Sequence, residues 1–140
     1  MQIVRKHSAG GILLRDNEVL VIHWAEPRNS YDFPKGTIEE NENAKTACIR
    51  EVLEETGYAV TTKGLIGRTR YEYDWFDGTH IKKIVDYFLL QDTGIAPVEP
   101  HREQHETFEN VWLTIDEARK LLTRSHDIEI LEKAILAQAG

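Results

Sequence analysis

The sequence has little cysteine, little proline and no excess of positive charge, and each shortage excludes a class of protein. Cys48 is the single cysteine and there are four prolines in 140 residues. One thiol cannot form an internal disulfide, so we expect a reducing compartment, the cytoplasm. The formal charge of −7 lacks the basic footprint of proteins that bind long nucleic acid. With 41% hydrophobic residues, the chain is expected to pack as an ordinary globular protein.

Long hydrophobic runs are also missing. The first apolar stretch, residues 10–14, is followed at once by Arg15, Asp16, Asn17 and Glu18. It is too short for a signal sequence or a membrane span, so no membrane partner is expected. The length fits one domain covering residues 1–140. The sequence leaves open whether that domain is a monomer or a homodimer.

Several segments have the pattern of β-strands. Alternating or β-branched apolar residues predict strands at 12–14, 19–24, 69–75, 81–90 and 108–113. Residues 81–90 are apolar on both faces, which is typical of a central strand. Asp16-Asn17 and Asp77-Gly78 are expected to form tight turns. The stretch 91–106, with Pro97 and Pro100, predicts a long loop.

Three segments predict helices. Residues 43–55 contain no proline or glycine, and Gly57 stands where a left-handed C-cap would end a helix. Thr114 and Glu117 form a capping-box pattern that opens a second helix through Leu122. Ser125 is the expected cap of a third, amphipathic helix.

The first helix is expected to have an acidic face. At about 100° per residue, one arc holds Glu51, Glu54 and Glu55, while Ile49, Val52 and Leu53 point to the core. Like charges at this spacing destabilise a helix, and the helix C-terminus disfavours anions. A solvated acidic surface is one interpretation; a site for hard divalent cations, which prefer oxygen ligands, is the other.

The residues around this helix follow a longer pattern. Gly36 is followed after five residues by Glu42, and after seven more by the run Arg50-Glu51-Val52-Leu53-Glu54-Glu55-Thr56-Gly57-Tyr58. This spacing is the signature of the Nudix hydrolases, which the chain resembles directly over the 23 residues 36–58. The resemblance implies an α/β fold, an α/β/α sandwich around a central mixed β-sheet.

The resemblance also implies a metal site and roles for its residues. Glu51, Glu54 and Glu55 are the expected Mg²⁺ ligands, with the Gly36 carbonyl; Mn²⁺ can substitute. Arg50 is expected to orient the glutamates, and Glu42 to be structural or to lie in the outer shell of the metal. The general base is expected either among the glutamates of residues 50–58 or on the distant loop, where Glu106 matches the position and Glu103 and Glu109 are the competitors. Glu106 is also an expected metal ligand.

The substrate implied by the resemblance is a nucleoside polyphosphate. The chain is similar to the branch that cleaves diadenosine tetraphosphate to ATP and AMP, in which residues at the positions of Lys83 and Tyr87 contact the ligand. Lys35, beside Gly36, is the third expected contact. Sanitising of damaged nucleoside triphosphates, diphosphoinositol polyphosphate cleavage and a non-catalytic ligand sensor remain the alternatives. Tyr71, Tyr73, Trp75 and Phe76 could stack a purine, although alternating aromatics are more often core.

Overall fold

The computed structural model describes residues 2–103 and 106–140. Its strands are β1 (Ile3–Ile12), β2 (Leu14–Arg15), β3 (Glu18–Trp24), β4 (Ser30–Asp32), β5 (Lys35–Thr37), β6 (Val60–Asp74), β7 (His80–Asp92) and β8 (Phe108–Thr114). Its helices are α1 (Ala44–Thr56), α2 (Ile115–Leu121) and α3 (Ser125–Ala139). In the described residues no helix has the length and apolarity needed to cross a membrane.

The larger sheet is mixed and has the order β5-β1-β7-β6. β1 runs parallel to β7, while β5 and β6 pair antiparallel with their neighbours. β7 therefore lies inside the sheet, as its two apolar faces predict. β5 is only three residues long, so it covers just the Ser8–Gly10 part of β1 and leaves the first half of β1 at the sheet edge.

A second, antiparallel sheet is built around β3, which pairs with β8 along its length and with β2 and β4 on its other side. The predicted turn at Asp16-Asn17 joins β2 to β3, and Asp16 has the positive φ of 54° that such a turn requires. The resemblance did not predict this separate sheet.

The two faces of the larger sheet carry different helices. On what we call the α1 face, Ala9 and Phe88 pack with Ala47, Cys48 and Val52 of α1. On the opposite face, the α3 face, Val85 and Tyr87 share a cluster with Ile130 and Leu131 of α3 and with residues of β3. This arrangement confirms the expected α/β fold with helices on both sides of a mixed sheet.

The helix ends confirm most of the capping predictions. Asn43 accepts a hydrogen bond from the Thr46 backbone, and Gly57 ends α1 with φ 81° in the left-handed region. Thr114 and Glu117 form both bonds of the capping box. The prediction for Ser125 was wrong: it is the first residue of α3, and the cap position belongs to Arg124, which makes no side-chain cap bond.

Some boundaries and orientations differ from those expected. β6 begins at Val60 and not near Thr69, because bulges between Thr62 and Gly64 and between Leu65 and Gly67 shift its alternation. The strand predicted at 12–14 is divided between β1, which begins at Ile3 and ends at Ile12, and β2, which begins at Leu14. The first half of β1 was missed because its basic residues are exposed and do not give an apolar pattern. Leu53 was expected in the core but is 41% exposed; Ala47, Cys48 and Val52 form the buried side of α1.

Candidate active site

The acidic side of α1 lies against the edge strand β5 and not in open solvent. Glu51 is the central residue: its side chain is 15% exposed and sits directly over Gly36. A Cβ placed on Gly36 would lie 2.1 Å from the Glu51 carboxyl carbon. Only glycine therefore leaves room for this carboxylate at the strand, which is a physical reason for the glycine that sequence spacing alone did not supply.

Arg50 binds the glutamates together. Its Nε donates to Glu42 at 2.7 Å, and its Nη1 donates to Glu51 at 2.8 Å and to Glu54 at 3.3 Å. The remaining nitrogen of the guanidinium, Nη2, donates to the Thr37 carbonyl at 3.0 Å, which ties the helix to the end of β5. The structure thus brings Arg50 into contact with Glu42 and with two of the glutamates that the sequence analysis named as expected metal ligands.

The pKa values of the Glu42 and Glu51 carboxyls move in opposite directions. The Arg50 hydrogen bond lowers the pKa of Glu42 to about 2, helped by the backbone of Glu39. Burial raises the pKa of Glu51, against the opposing effect of Arg50. Glu42 is therefore firmly anionic and anchors Arg50, while Glu51 is a carboxylate that needs a nearby cation.

Glu55 lies deeper, against β5. Its Oε1 accepts a hydrogen bond of 2.7 Å from the Lys35 backbone N–H. Burial raises its pKa to about 8; the Lys35 bond opposes the shift, and the charges of Glu51 and Glu106 add to it. Two further carboxyls therefore lie close enough to Glu55 to repel its charge, which is the electrostatic setting that a bound cation would relieve.

Glu106 lies in the loop before β8 and is half-buried. Its carboxylate accepts a hydrogen bond from the Glu103 backbone at 2.9 Å, and its charge reaches Glu55. The alternatives point elsewhere: Glu103 is exposed beside His101, and Glu109 is exposed on β8 beside His23. Of the three, Glu106 is the one that the structure shows acting on the charge of an α1 glutamate.

The expected substrate contacts have different placements. Burial lowers the pKa of Lys83 to about 8, and the charge of Lys35 adds to that shift, so the two side chains interact electrostatically. Tyr87 is 2% exposed and packs edge-on against Phe33 at 5.8 Å. This is the placement of a core residue, and burial raises the pKa of its hydroxyl. In this structure Tyr87 is therefore not open to a ligand.

Sequence reasoning missed a polar cluster on the α3 face. Asp32 and Asp127 are each 2% exposed, and within residues 2–103 and 106–140 the Oδ1 atom of each has no partner with hydrogen-bond geometry. Arg124 lies 3.2 Å from Asp32, and Arg28 donates to it at 3.1 Å. The signal available was Asp127, a carboxylate on the otherwise apolar side of an amphipathic helix. Arg28 is thus an ion-pair partner of Asp32.

The carboxylates have the oxygen atoms that a divalent cation binds, but in the described part of this structure they do not converge on one point. Within residues 2–103 and 106–140, no three His, Cys, Asp or Glu side chains converge on one point as a metal centre requires. Arg50 holds Glu51 and Glu54, and Lys35 holds Glu55. The donor set is nevertheless all oxygen, as Mg²⁺ prefers, and the space at Gly36 directs Glu51 towards the Gly36 backbone.

The chain belongs to the NUDIX family: the NUDIX domain model matches residues 4–134. Enzymes of this family generally depend on divalent metal ions and act on small nucleotide substrates. The recognition of the family from residues 36–58 is thereby confirmed over nearly the whole chain.

Two curated relatives have similar sequences. The MutT4 protein of Mycobacterium tuberculosis is 32% identical over 145 residues, covering 96% of this chain and 56% of that protein. An 8-oxo-(d)GTP phosphatase of Mycolicibacterium smegmatis is 30% identical over 142 residues, covering 91% of this chain and 41% of that protein. The chain thus spans about half the length of these relatives.

Solved structures share the fold. An Ap4A hydrolase from C. elegans, determined as a binary complex, superposes with a TM-score of 0.74 at 22% identity, covering 96% of this chain and 98% of that chain. A NUDIX hydrolase from Nitrosomonas europaea gives a TM-score of 0.69 at 19% identity, covering 96% and 90%. At these identities the likeness establishes the architecture alone.

Proposed function

We propose that this chain is a pyrophosphohydrolase that uses divalent cations, Mg²⁺ in the first place and Mn²⁺ as a substitute, to cleave a nucleoside polyphosphate. The observation that carries the proposal is the carboxylate cluster of α1 held against Gly36 by Arg50. Glu51, Glu54, Glu55, Glu106 and the Gly36 carbonyl would hold the cations. Bound there, they would neutralise the phosphate chain and activate the attacking water.

The protein side chains would divide the remaining work. Arg50, anchored by Glu42, would orient Glu51 and Glu54. Glu106 would accept a proton from the water as its oxygen bonds to phosphorus. The anhydride P–O bond then breaks, and the leaving phosphate departs with the electron pair. The proximity of Glu106 to Glu55 supports its selection over Glu103 and Glu109.

The preferred substrate in this proposal is diadenosine tetraphosphate, split into ATP and AMP. Lys35 supports it, because its backbone holds Glu55 while its side chain interacts electrostatically with that of Lys83. Both side chains lie on the α3 face of the sheet, opposite the carboxylates, so they would bind a part of the phosphate chain that extends past the edge strand β5 and away from the cations. Tyr87 has no part in this proposal, because it is buried.

A second candidate is cleavage of a damaged nucleoside triphosphate, which the similarity to an 8-oxo-(d)GTP phosphatase favours. Chromatography of products decides between the two. The purified chain, incubated with Mg²⁺ and equal concentrations of diadenosine tetraphosphate, 8-oxo-dGTP, ADP-ribose and diphosphoinositol polyphosphate, should form ATP and AMP fastest. Faster turnover of another member of this panel would replace the substrate but keep the chemistry.

The chemistry itself has a separate test. A Glu54→Gln variant keeps the size of the side chain and removes its charge, so it should lose most of its rate with every substrate. If no compound of the panel is cleaved by the wild-type chain with either metal, the domain is a ligand sensor and the proposal is wrong.

A further inference from the structure

A basic groove crosses the α1 face of the larger sheet, and its lining comes from β1, β6 and β7 without any residue of α1. Its volume is about 490 Å³. The walls are two rows of side chains that are register neighbours across three strands. The first row is His7, Ile84 and Arg70, and the second is Arg5, Lys82 and Glu72.

Strand alternation fixes the face on which the groove lies. Ala9 packs against α1, and His7 and Arg5 follow it at two-residue steps on the same face of β1. The main chain at Lys6, Lys83 and Tyr71, which form the register row between the walls, makes the floor. The groove is therefore on the opposite face from the side chain of Lys83, and it is a different place from the Lys35 and Lys83 contacts proposed above.

Three cations of the groove form no salt bridge with an acid in residues 2–103 and 106–140, although the charge of Lys82 reaches Glu72 on the neighbouring strand. Asp86, the nearest buried acid, is held by His7 at 2.7 Å and by Arg68 at 2.6 Å. Glu72 is held by His80 at 2.6 Å. Among the described residues, Arg5, Arg70 and Lys82 have no ion pair of their own, although the whole chain carries a net charge of −7. Three such cations gathered from three strands are unexpected on so acidic a protein.

The groove also lies close to the carboxylate cluster. Gly36 pairs with Ala9 of β1, and the floor at Lys6 is three residues away along that strand, about 10 Å at the rise of a β-strand. The Ile38 backbone donates to the His7 carbonyl at 3.0 Å, so the chain leaving β5 runs past the groove wall. Because β5 ends at Thr37, the edge of β1 beyond it is not covered by another strand.

We propose that this groove binds a phosphate-bearing group that is not itself cleaved. Guanidinium and ammonium groups are the side chains that recognise phosphate, and Ile84 with the aliphatic stems of the basic residues adds apolar surface to the walls. The group has two possible sources: the far end of a two-ended substrate whose anhydride lies at the glutamates, or a separate phosphate compound. The binding claim stands without the proposed function; the first source rests on it.

Binding is tested with inorganic tripolyphosphate in metal-free buffer, so that the carboxylates cannot hold the probe through cations. Isothermal titration should show binding to the wild-type chain that weakens with added salt. An Arg70→Ala/Lys82→Ala variant should lose affinity by on the order of tenfold for each contact. The matched control is Lys63→Ala/Lys120→Ala, which removes two positive charges from exposed positions outside the groove and should stay within about twofold.

Thermal unfolding checks that both double variants are folded, as expected because none of the four side chains is buried. No tripolyphosphate binding to the wild-type chain, or equal losses in the two double variants, would overturn the proposal.

Kinetics then identify the source. If the groove holds the far end of the substrate, Arg70→Ala/Lys82→Ala should raise the KM for diadenosine tetraphosphate by a similar factor and leave kcat and the KM for ATP or another one-ended substrate unchanged. If tripolyphosphate binding is lost while every KM is unchanged, the groove serves a separate phosphate compound. Should diadenosine tetraphosphate not be cleaved at all, the proposed substrate fails, while the tripolyphosphate titration still decides the groove.

Discussion

Gly36→Ala tests whether the close approach of β5 to Glu51 is needed for activity. The new Cβ would lie 2.1 Å from the Glu51 carboxyl carbon, whereas carbon atoms pack at about 3.5 Å, so the carboxylate must retreat by about 1.4 Å. A misplacement of about 1 Å in a catalytic group can cost roughly 100-fold in rate, equal to about 2.7 kcal/mol of transition-state stabilisation. We expect a loss of that size in kcat/KM.

Stability should respond much less than activity. Gly36 is in an extended strand, so alanine suits its backbone and lowers the entropy of the unfolded chain by about 0.4–1 kcal/mol. That gain offsets part of the strain of moving a flexible carboxylate. The melting temperature should therefore stay within a few degrees of the wild-type value, about 4 °C for each kcal/mol in a domain of this size.

The assay is steady-state cleavage over a range of Mg²⁺ concentrations, with unfolding followed by circular dichroism. A rescue variant sharpens it: Gly36→Ala/Glu51→Asp shortens the displaced side chain by one methylene. The loss of transition-state stabilisation in the double variant, measured from kcat/KM, should be smaller than the sum of the losses in Gly36→Ala and Glu51→Asp, because both changes act on one contact. If Gly36→Ala keeps the wild-type rate and metal dependence, the contact between Gly36 and Glu51 does not support catalysis.

The remaining predictions concern charge and metal. Glu54→Gln should reduce kcat by two to three orders of magnitude, roughly the effect of removing one key electrostatic group, with little change in melting temperature because Glu54 is 42% exposed; a rate near wild type would contradict its role. Mg²⁺ at about a hundred times its Kd should raise the free energy of unfolding of the wild-type chain by about 2.7 kcal/mol. The same Mg²⁺ concentration should not stabilise the Glu51→Gln/Glu54→Gln variant. Chelation should abolish turnover, and a rate that does not depend on metal would refute the metal site. Burial and the charge of Lys35 lower the pKa of Lys83 to about 8, while the unfolded side chain keeps a pKa of about 10.4. Between these values the unfolded chain binds the extra proton, so stability should rise with pH relative to Lys83→Met; parallel denaturation profiles from pH 8 to 10 would show that Lys83 is not buried as described.

The helix of the site could be predicted from sequence because its signals are local. Asn43 and Gly57 mark its ends, and the spacing from Gly36 to Glu55 identifies the family without any knowledge of packing. What failed depends on tertiary contacts. Leu53 is exposed because α1 turns Ala47, Cys48 and Val52 to the sheet, and the arc of the helix alone could not show which side would be covered.

The substrate contacts were harder to predict for a related reason. Strand alternation puts Lys83 and Tyr87 on one face of β7, but only packing against Phe33 and α3 shows that Tyr87 lies in the core. The groove was missed because its cations come from β1, β6 and β7, which are distant in sequence. Arg5, Arg70 and Lys82 become neighbours through the parallel pairing of β1 with β7 and the antiparallel pairing of β6 with β7.

The contacts of Arg50 also bear on how a cation would enter and leave. The guanidinium shares one positive charge among Glu42, Glu51 and Glu54, so an entering metal ion would replace part of that compensation with its own charge. Such an exchange would lower the net gain from the ion, and it would leave the helix with a charge partner when the ion departs with a phosphate product. In the proposed reaction, arginine at this position would therefore favour turnover over permanent retention of the metal.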